Sequence, residues 1–240
     1  MITKGRETGM KETNHTSELS LEGIETLDEL FSQWEAHFSF EYFVKDGIFN
    51  PALFSSPRIL YILRDAHIDK KKASPPYDLR DIVKYPKGEG RTWNNIARWT
   101  QALLDNANYS DVETINPDSL STQLSRVAAM NLKKEAGGAR AKEIRRYAIE
   151  HREWIKKQIE IINPDIIIAC GTFDELVKYT MEGDTRNCKQ IAGTTQRRYD
   201  ICIHSRNVPI IDSYHPQYNK RNSELVDAMK EIRKNVLENL

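Results

Sequence analysis

The chain alternates short apolar runs with longer stretches in which apolar residues recur at helical spacing. "PRILYIL" (57–63), "SRVAAMNL" (125–132), "PDIIIACG" (164–171) and "VPIIDS" (208–213) are short, aliphatic and bounded by turn formers, which predicts buried strands. "RRYDICIH" (197–204) alternates polar and apolar positions and reads as an edge strand. "RTWNNIARWTQALLDNA" (91–107) has the spacing of an amphipathic helix. Residues 141–163 read as one long helix on which Ile144, Ala148, Trp154, Ile155 and Ile159 share a face. "TFDELVKYTME" (172–182) predicts another helix with Thr172 as its N-cap, and residues 222–240 a terminal one. Residues 21–46 carry Leu, Phe and Trp at helical spacing, enough for one or two helices. Residues 68–90 are polar, with a run of three consecutive lysines at 70–72 and a Ser-Pro-Pro step, and predict a long loop of the kind that usually serves function.

Strands alternating with helices imply an α/β fold, with a central, mostly parallel four-stranded sheet and helices on both faces. Residues 21–240 are expected to form one such domain, behind a flexible tail over residues 1–20. Sheets of this kind bind ligands beyond the C-terminal ends of their strands. Four segments then draw attention: Leu63 to His67, Asn131 to Lys134, Cys170 to Thr172, and Ser213 to Arg221.

Composition narrows the picture. Lys+Arg and Asp+Glu are equal at 35 each, so no global positive field draws the protein to nucleic acid. Positive charge can still gather locally, and Lys133, Lys134, Lys220 and Arg221 all follow strand ends, with Lys70 to Lys72 and Arg197-Arg198 as possible additions to that rim. Such a rim suits a phosphate backbone. No apolar run approaches the roughly 20 residues that cross a bilayer. Three cysteines without a CxxC pair indicate neither a zinc site nor an iron–sulfur cluster, and the reading is a cytoplasmic monomer that needs no metal or cofactor. Cys170 and Cys202 lie in apolar segments and read as buried thiols. Taken singly, an Asp or His at a strand end is usually a turn former, and an Asn there usually satisfies the backbone. What shifts the balance is that Asp65, Asn131 and His215, on three different strands, are all expected at one edge.

"ILYILRDAH", "AAMNLKK", "WIKKQIEIINPDIIIACGT" and "VPIIDSYHPQY", in that order over residues 57–221, resemble the motif series of the uracil-DNA glycosylase superfamily. "GRTWNNIARW" stands where that family has an aromatic after Gly-Arg. The resemblance implies a three-layer α/β sandwich and a monofunctional DNA glycosylase. In it, Asp65 would position water and balance charge on the sugar, and His215 would stabilise the departing base. Trp93 would stack on the flipped base and Asn131 would read its pairing edge, with Arg64, Ala66 and His67 lining the pocket. Gln217 and Tyr218 would lie in the loop pressed into the duplex. Lys133, Lys134, Lys220, Arg221 and the Gly137-Gly138 amides would clamp phosphates.

The chain departs from the family at Leu63 and Ala66, which flank the first-motif polar residues, at His67 in place of a tyrosine that screens C5 substituents, and at Gln217 in place of a serine. These changes, with the long polar loop, point to a modified pyrimidine such as a glucosylated hydroxymethylcytosine of phage DNA, which some members of the superfamily excise in antiviral defence. Uracil repair, an inactive nucleic-acid-binding module of the same fold, and action on free nucleotides are the alternative readings.

Overall fold

The computed structural model describes residues 21–66, 77–84, 90–135, 140–218 and 222–239. The main sheet has seven strands, in the order β2-β5-β3-β6-β9-β8-β7. These are β2 (Gly47–Ile48), β3 (Ile59–Asp65), β5 (Ala128–Lys133), β6 (Ile166–Cys170), β7 (Lys189–Gln190), β8 (Arg197–Ile203) and β9 (Arg206–Ser213). A separate two-stranded pair joins β1 (Val44–Lys45) to β4 (Tyr77–Asp78). The sheet is therefore mixed, and not the four-stranded sheet expected. The four expected strands do form its parallel interior, β5-β3-β6-β9, but β2 adds antiparallel at one edge and the β8–β7 pair at the other. The alternation of Arg197–Ile203 encodes a strand antiparallel to β9, joined by a tight turn through His204 and Ser205, both at positive φ.

The pleat sends successive side chains to opposite faces, and each face has its own core. Ile59, Tyr61, Leu63, Ala129, Ile166, Ile168, Cys170 and Ile211 face one side. There they meet Ile96, Trp99 and Leu103 of α2 (Gly90–Asp105), Leu120 and Leu124 of α4 (Pro117–Leu124), and Val226, Met229 and Ile232 of α7 (Asn222–Asn235). The short α3 (Tyr109–Val112) joins α2 to α4 and buries Val112 in the same core. Leu60, Ile62, Met130, Ile167 and Ile210 face the other side, against α1 (Leu27–His37), α5 (Ala141–Glu150) and α6 (Arg152–Ile162). The near-continuous apolar runs of β3, β5 and β6 follow from burial on both faces.

Four details differ from the pattern reading. Residues 141–163 are two helices, because His151 leaves helical geometry (φ −110°, ψ 16°). Its ring stacks on Tyr147 at 3.8 Å between centroids, and its Nδ1 accepts the Trp34 Nε1–H at 3.0 Å. The apolar face is kept, with Ile144, Ala148, Trp154, Ile155 and Ile159 all buried. The helix after β6 widens to a π-helix over Glu175–Thr180, and the Thr172 hydroxyl donates to the Ile62 carbonyl at 2.9 Å instead of capping it. Cys170 is buried, but Cys202 is exposed. It points away from Ile201 and Ile203 on the strand, and Ile203 is the side turned into the core.

The N-terminal edge of the sheet is held by one carboxylate. Asp165 accepts from the backbone N–H of Arg58 at 2.8 Å, from the Arg58 guanidinium at 2.9 Å, from Ser56 at 2.9 Å and from Arg206 at 2.5 Å. These bonds tie the starts of β3, β6 and β9 together, and the donors hold the Asp165 carboxyl well below the usual range against the opposing effect of burial. The opposite edge carries the ends of β3, β5, β6 and β9. Among the described residues no helix is long and apolar enough to cross a membrane.

Candidate active site at the C-terminal edge of the sheet

Parallel pairing brings the predicted residues together. Leu63 pairs with Asn131 and Asp65 with Lys133, so β3 and β5 end level with each other. Asp65 continues the alternation of Tyr61 and Leu63, and Asn131 that of Ala129, so both are directed to the α2 face. Asp65 is partly exposed. Trp93, in the first turn of α2, is half-buried on the same face, with its ring edge-on to Phe49 at 5.8 Å and 84°. It is neither sealed in the core nor fully free.

His215 follows β9. A Cβ built on Gly171, the residue after β6, would lie 3.3 Å from the His215 Cβ and 3.4 Å from its backbone nitrogen. Gly171 also has φ +67°, a conformation that favours glycine. The turn after β6 thus has no side chain because His215 occupies that space. The next turn is fixed from three directions: the Tyr218 N–H donates to the His215 carbonyl at 2.8 Å, Asn95 Nδ2 of α2 donates to the Pro216 carbonyl at 2.7 Å, and Asn95 is itself oriented by Arg98 at 2.9 Å. Tyr214 and Tyr218 stack at 5.2 Å, with Tyr218 half exposed.

The protonation of His215 can be read from its contacts. The backbone N–H of Gln217 donates to Nδ1 at 3.2 Å, so Nδ1 carries a lone pair and, in the neutral ring, Nε2 carries the proton. Burial holds its pKa below the ordinary imidazole value; the Arg64 charge adds to this, and Asp65 pulls the other way. A neutral ring bearing an Nε2–H, in the field of the Asp65 carboxylate, can donate a hydrogen bond to a developing anion.

Asn131 is held by a residue that the sequence reading passed over. Asp46, just before β2, lies on the outer edge of β5 with no exposed surface. Its Oδ2 accepts from the Asn131 backbone N–H at 2.8 Å and from Asn131 Nδ2 at 3.3 Å; its Oδ1 accepts from Lys134 Nζ at 2.6 Å and Gln158 Nε2 at 2.7 Å. Asn131 is 1% exposed, so a base reaches its amide only by displacing the groups that cover it.

Several expectations change. Lys134 cannot clamp phosphate: it is fully buried, paired to Asp46 and set 5.7 Å over the Trp34 ring. Its pKa is lowered by burial, with Asp46 opposing the shift. Lys133 is also turned inward, at 8% exposed. Ala66 packs into the α2-side core and is 7% exposed. Arg64 alternates to the face opposite Asp65, with its Nε buried and without a partner among the described residues, and its charge lowers the His215 pKa. Arg197 is paired with Asp212 at 2.6 Å and Arg198 with Asp200 at 2.7 Å, so neither adds an uncompensated cation to a rim. Gln217 and Tyr218 are exposed beside His215. His67, Lys70 to Lys72, Gly137, Gly138, Lys220 and Arg221 lie outside the described residues, as does the tail over residues 1–20.

Gly171, Asn95 and Asp46 are the site residues that sequence reasoning missed. The "ACG" end of a buried strand signalled a turn at Gly171 but not what packs on it. Nothing along the chain links Asp46 to Asn131, 85 residues away. No group of three or more His, Cys, Asp or Glu among the described residues is placed to hold a metal ion. No protein-family model and no curated protein matches the chain.

Proposed function

We propose that the protein is a monofunctional DNA glycosylase of the uracil-DNA glycosylase superfamily, acting on a flipped pyrimidine, with a modified cytosine as the expected target. One observation carries this reading: His215 is held as a neutral Nε2–H donor within the field of the Asp65 carboxylate at the edge where β3, β5, β6 and β9 end. In the reaction the bond from the sugar C1′ to the base nitrogen breaks, and the electron pair leaves with the base. The sugar becomes cationic and the pyrimidine anionic. Asp65 would balance the first charge and orient the water that adds to C1′. His215 Nε2–H would donate to the base O2 and take up the second. Fixed groups of this kind, already oriented before reaction, lower such a barrier electrostatically.

The remaining parts fit in rank order. Trp93 offers an aromatic face for an extruded base, and Asn131 an amide for its pairing edge. The exposed Tyr218, stacked on Tyr214, would enter the duplex as the base leaves. The three-layer sandwich of that superfamily requires a parallel strand core covered on both faces, and the β5-β3-β6-β9 interior with its two cores meets that requirement. Because Lys134, Arg197 and Arg198 are neutralised, the phosphate grip would fall to the Gln217–Tyr218 turn and the chain after it.

The test is direct. Duplexes carrying uracil, hydroxymethylcytosine or glucosylated hydroxymethylcytosine are incubated with the protein and then treated with alkali. Breaks at the modified base that vanish in Asp65→Ala support the reading. Salt-sensitive binding without breaks on any duplex favours an inactive nucleic-acid-binding module instead.

A further inference from the structure

Asp46 is a fully buried carboxylate that accepts four hydrogen bonds from described residues, two on each oxygen. Burying a charge is costly unless every lone pair is answered, and here the answer comes from three elements: β5, the residue after it, and α6. Lys134 and Gln158 fix where the carboxylate stands. Among the described residues, the remaining oxygen then accepts from a single side chain, the Asn131 amide. An amide has two flip states, which exchange its oxygen and nitrogen. With Nδ2 toward Asp46, an N–H meets a carboxylate oxygen. In the flipped state the amide oxygen would face that carboxylate with no proton between them. Loss of a charge-assisted hydrogen bond favours the first state by about ten- to a hundredfold.

We propose that Asp46 is the positioning residue that sets base specificity: by locking the Asn131 amide in one flip state, it makes the site accept either 4-amino or 4-keto pyrimidines but not both. The inference rests on the glycosylase reading. A cytosine-type edge presents a donor at C4 and an acceptor at N3; a uracil-type edge presents the reverse. An amide free to flip serves both edges, whereas a locked amide serves one. Asp46 need not touch the base, because its effect passes through Asn131.

The experiment compares kcat/KM on matched duplexes carrying hydroxymethylcytosine and hydroxymethyluracil, which differ only at C4 and N3. The proteins are the full chain and Asp46→Asn. Because Asp46→Asn leaves the Lys134 charge unpaired, the double variant Asp46→Asn/Lys134→Met is measured as well, each below its melting temperature. The expected result is a strong preference in the parent that falls tenfold or more toward unity in the folded variants. In the parent, the Asn131 side-chain N–H resonances should also show one proton shifted downfield and slow to exchange, and the double variant should lose this. Equal loss of rate on both bases would reduce Asp46 to a structural role and overturn the inference, as would a parent that cleaves both bases equally; the glycosylase reading survives both results. A parent that cleaves neither these bases nor the glucosylated one removes that reading, and the inference with it.

Discussion

The backbone N–H of Gln217 donates to Nδ1 of His215 at 3.2 Å, which leaves Nε2 as the proton-bearing nitrogen of the neutral ring. The contact joins the turn after β9 to the only histidine on the candidate edge among the described residues, and it decides what that histidine can do: it is a hydrogen-bond donor and not a base.

That assignment predicts the acid limb of any activity. The His215 pKa lies below the ordinary imidazole value, so the ring is neutral at pH 7 and takes up a proton only as the pH falls below about 6.5. Protonation would break the bond from Gln217, since Nδ1 would then carry a proton. Rate should be level near neutrality and decline at lower pH. Imidazole nitrogen shifts measured at pH 7 should show an unprotonated Nδ1 and a protonated Nε2; a doubly protonated ring at that pH would contradict the assignment.

Gly171→Ala should reduce activity more than stability. The added methyl lands 3.3 Å from the His215 Cβ, on a backbone at φ +67° that costs an L-residue about 1 kcal/mol. The expected outcome is a melting shift of a few degrees, with a fall in rate of tenfold or more as His215 is pushed aside. An unchanged rate would mean that the position of His215 is not critical.

Lys134→Met should act on stability. Removing one partner of the buried Asp46–Lys134 pair leaves a carboxylate without its cation, a change that typically costs about 3–5 kcal/mol. Denaturant unfolding reads that loss. The slope of DNA affinity against salt should stay unchanged, because a fully buried lysine releases no counterion. A slope reduced by about one would return Lys134 to the phosphate contacts.

His151 should contribute to acid stability alongside His215, whose pKa is also lowered. Burial lowers the His151 pKa from 6.5 to about 4. Between those values the unfolded chain binds the proton and the folded one does not, so stability rises with pH across that window. The stabilisation is complete above about pH 6.5 and lost as pH falls toward 4, by on the order of 3 kcal/mol. His151→Gln, which keeps an acceptor for the Trp34 N–H, should make stability less steep over that range. Loss of the Asp165 clamp, whose carboxyl is shifted down, follows only at lower pH. A parent whose stability is flat from pH 7 to 4 would contradict this.

How much was legible along the chain depends on the range of the interactions involved. The four parallel strands, their order of appearance and the edge that gathers Asp65, Asn131 and His215 follow from local apolar runs and one topological rule, and the register of β3 on β5 agrees with them. Of the antiparallel strands at the sheet edges, Arg197–Ile203 was legible from its alternation, whereas β2 and β7 were not. A two-residue strand such as Gly47–Ile48 has no period to read. The fate of a lysine was equally hidden: "NLKK" looks solvated until Asp46, 88 residues from Lys134, arrives to bury it. The break at His151 fails for the same reason, since the partner that draws its ring inward is Trp34, 117 residues earlier. Short-range pattern predicted elements and edges; long-range pairing decided which polar residues face solvent.

The most direct measurement of the central claim is single-turnover release of base from a duplex carrying a modified cytosine, in the parent, Asp65→Asn and His215→Ala. If the two residues act at one reacting centre, the parent leaves an alkali-labile abasic site and each variant slows release by on the order of 100- to 1,000-fold while still binding the duplex. Release that proceeds at the parental rate in both variants would contradict the account.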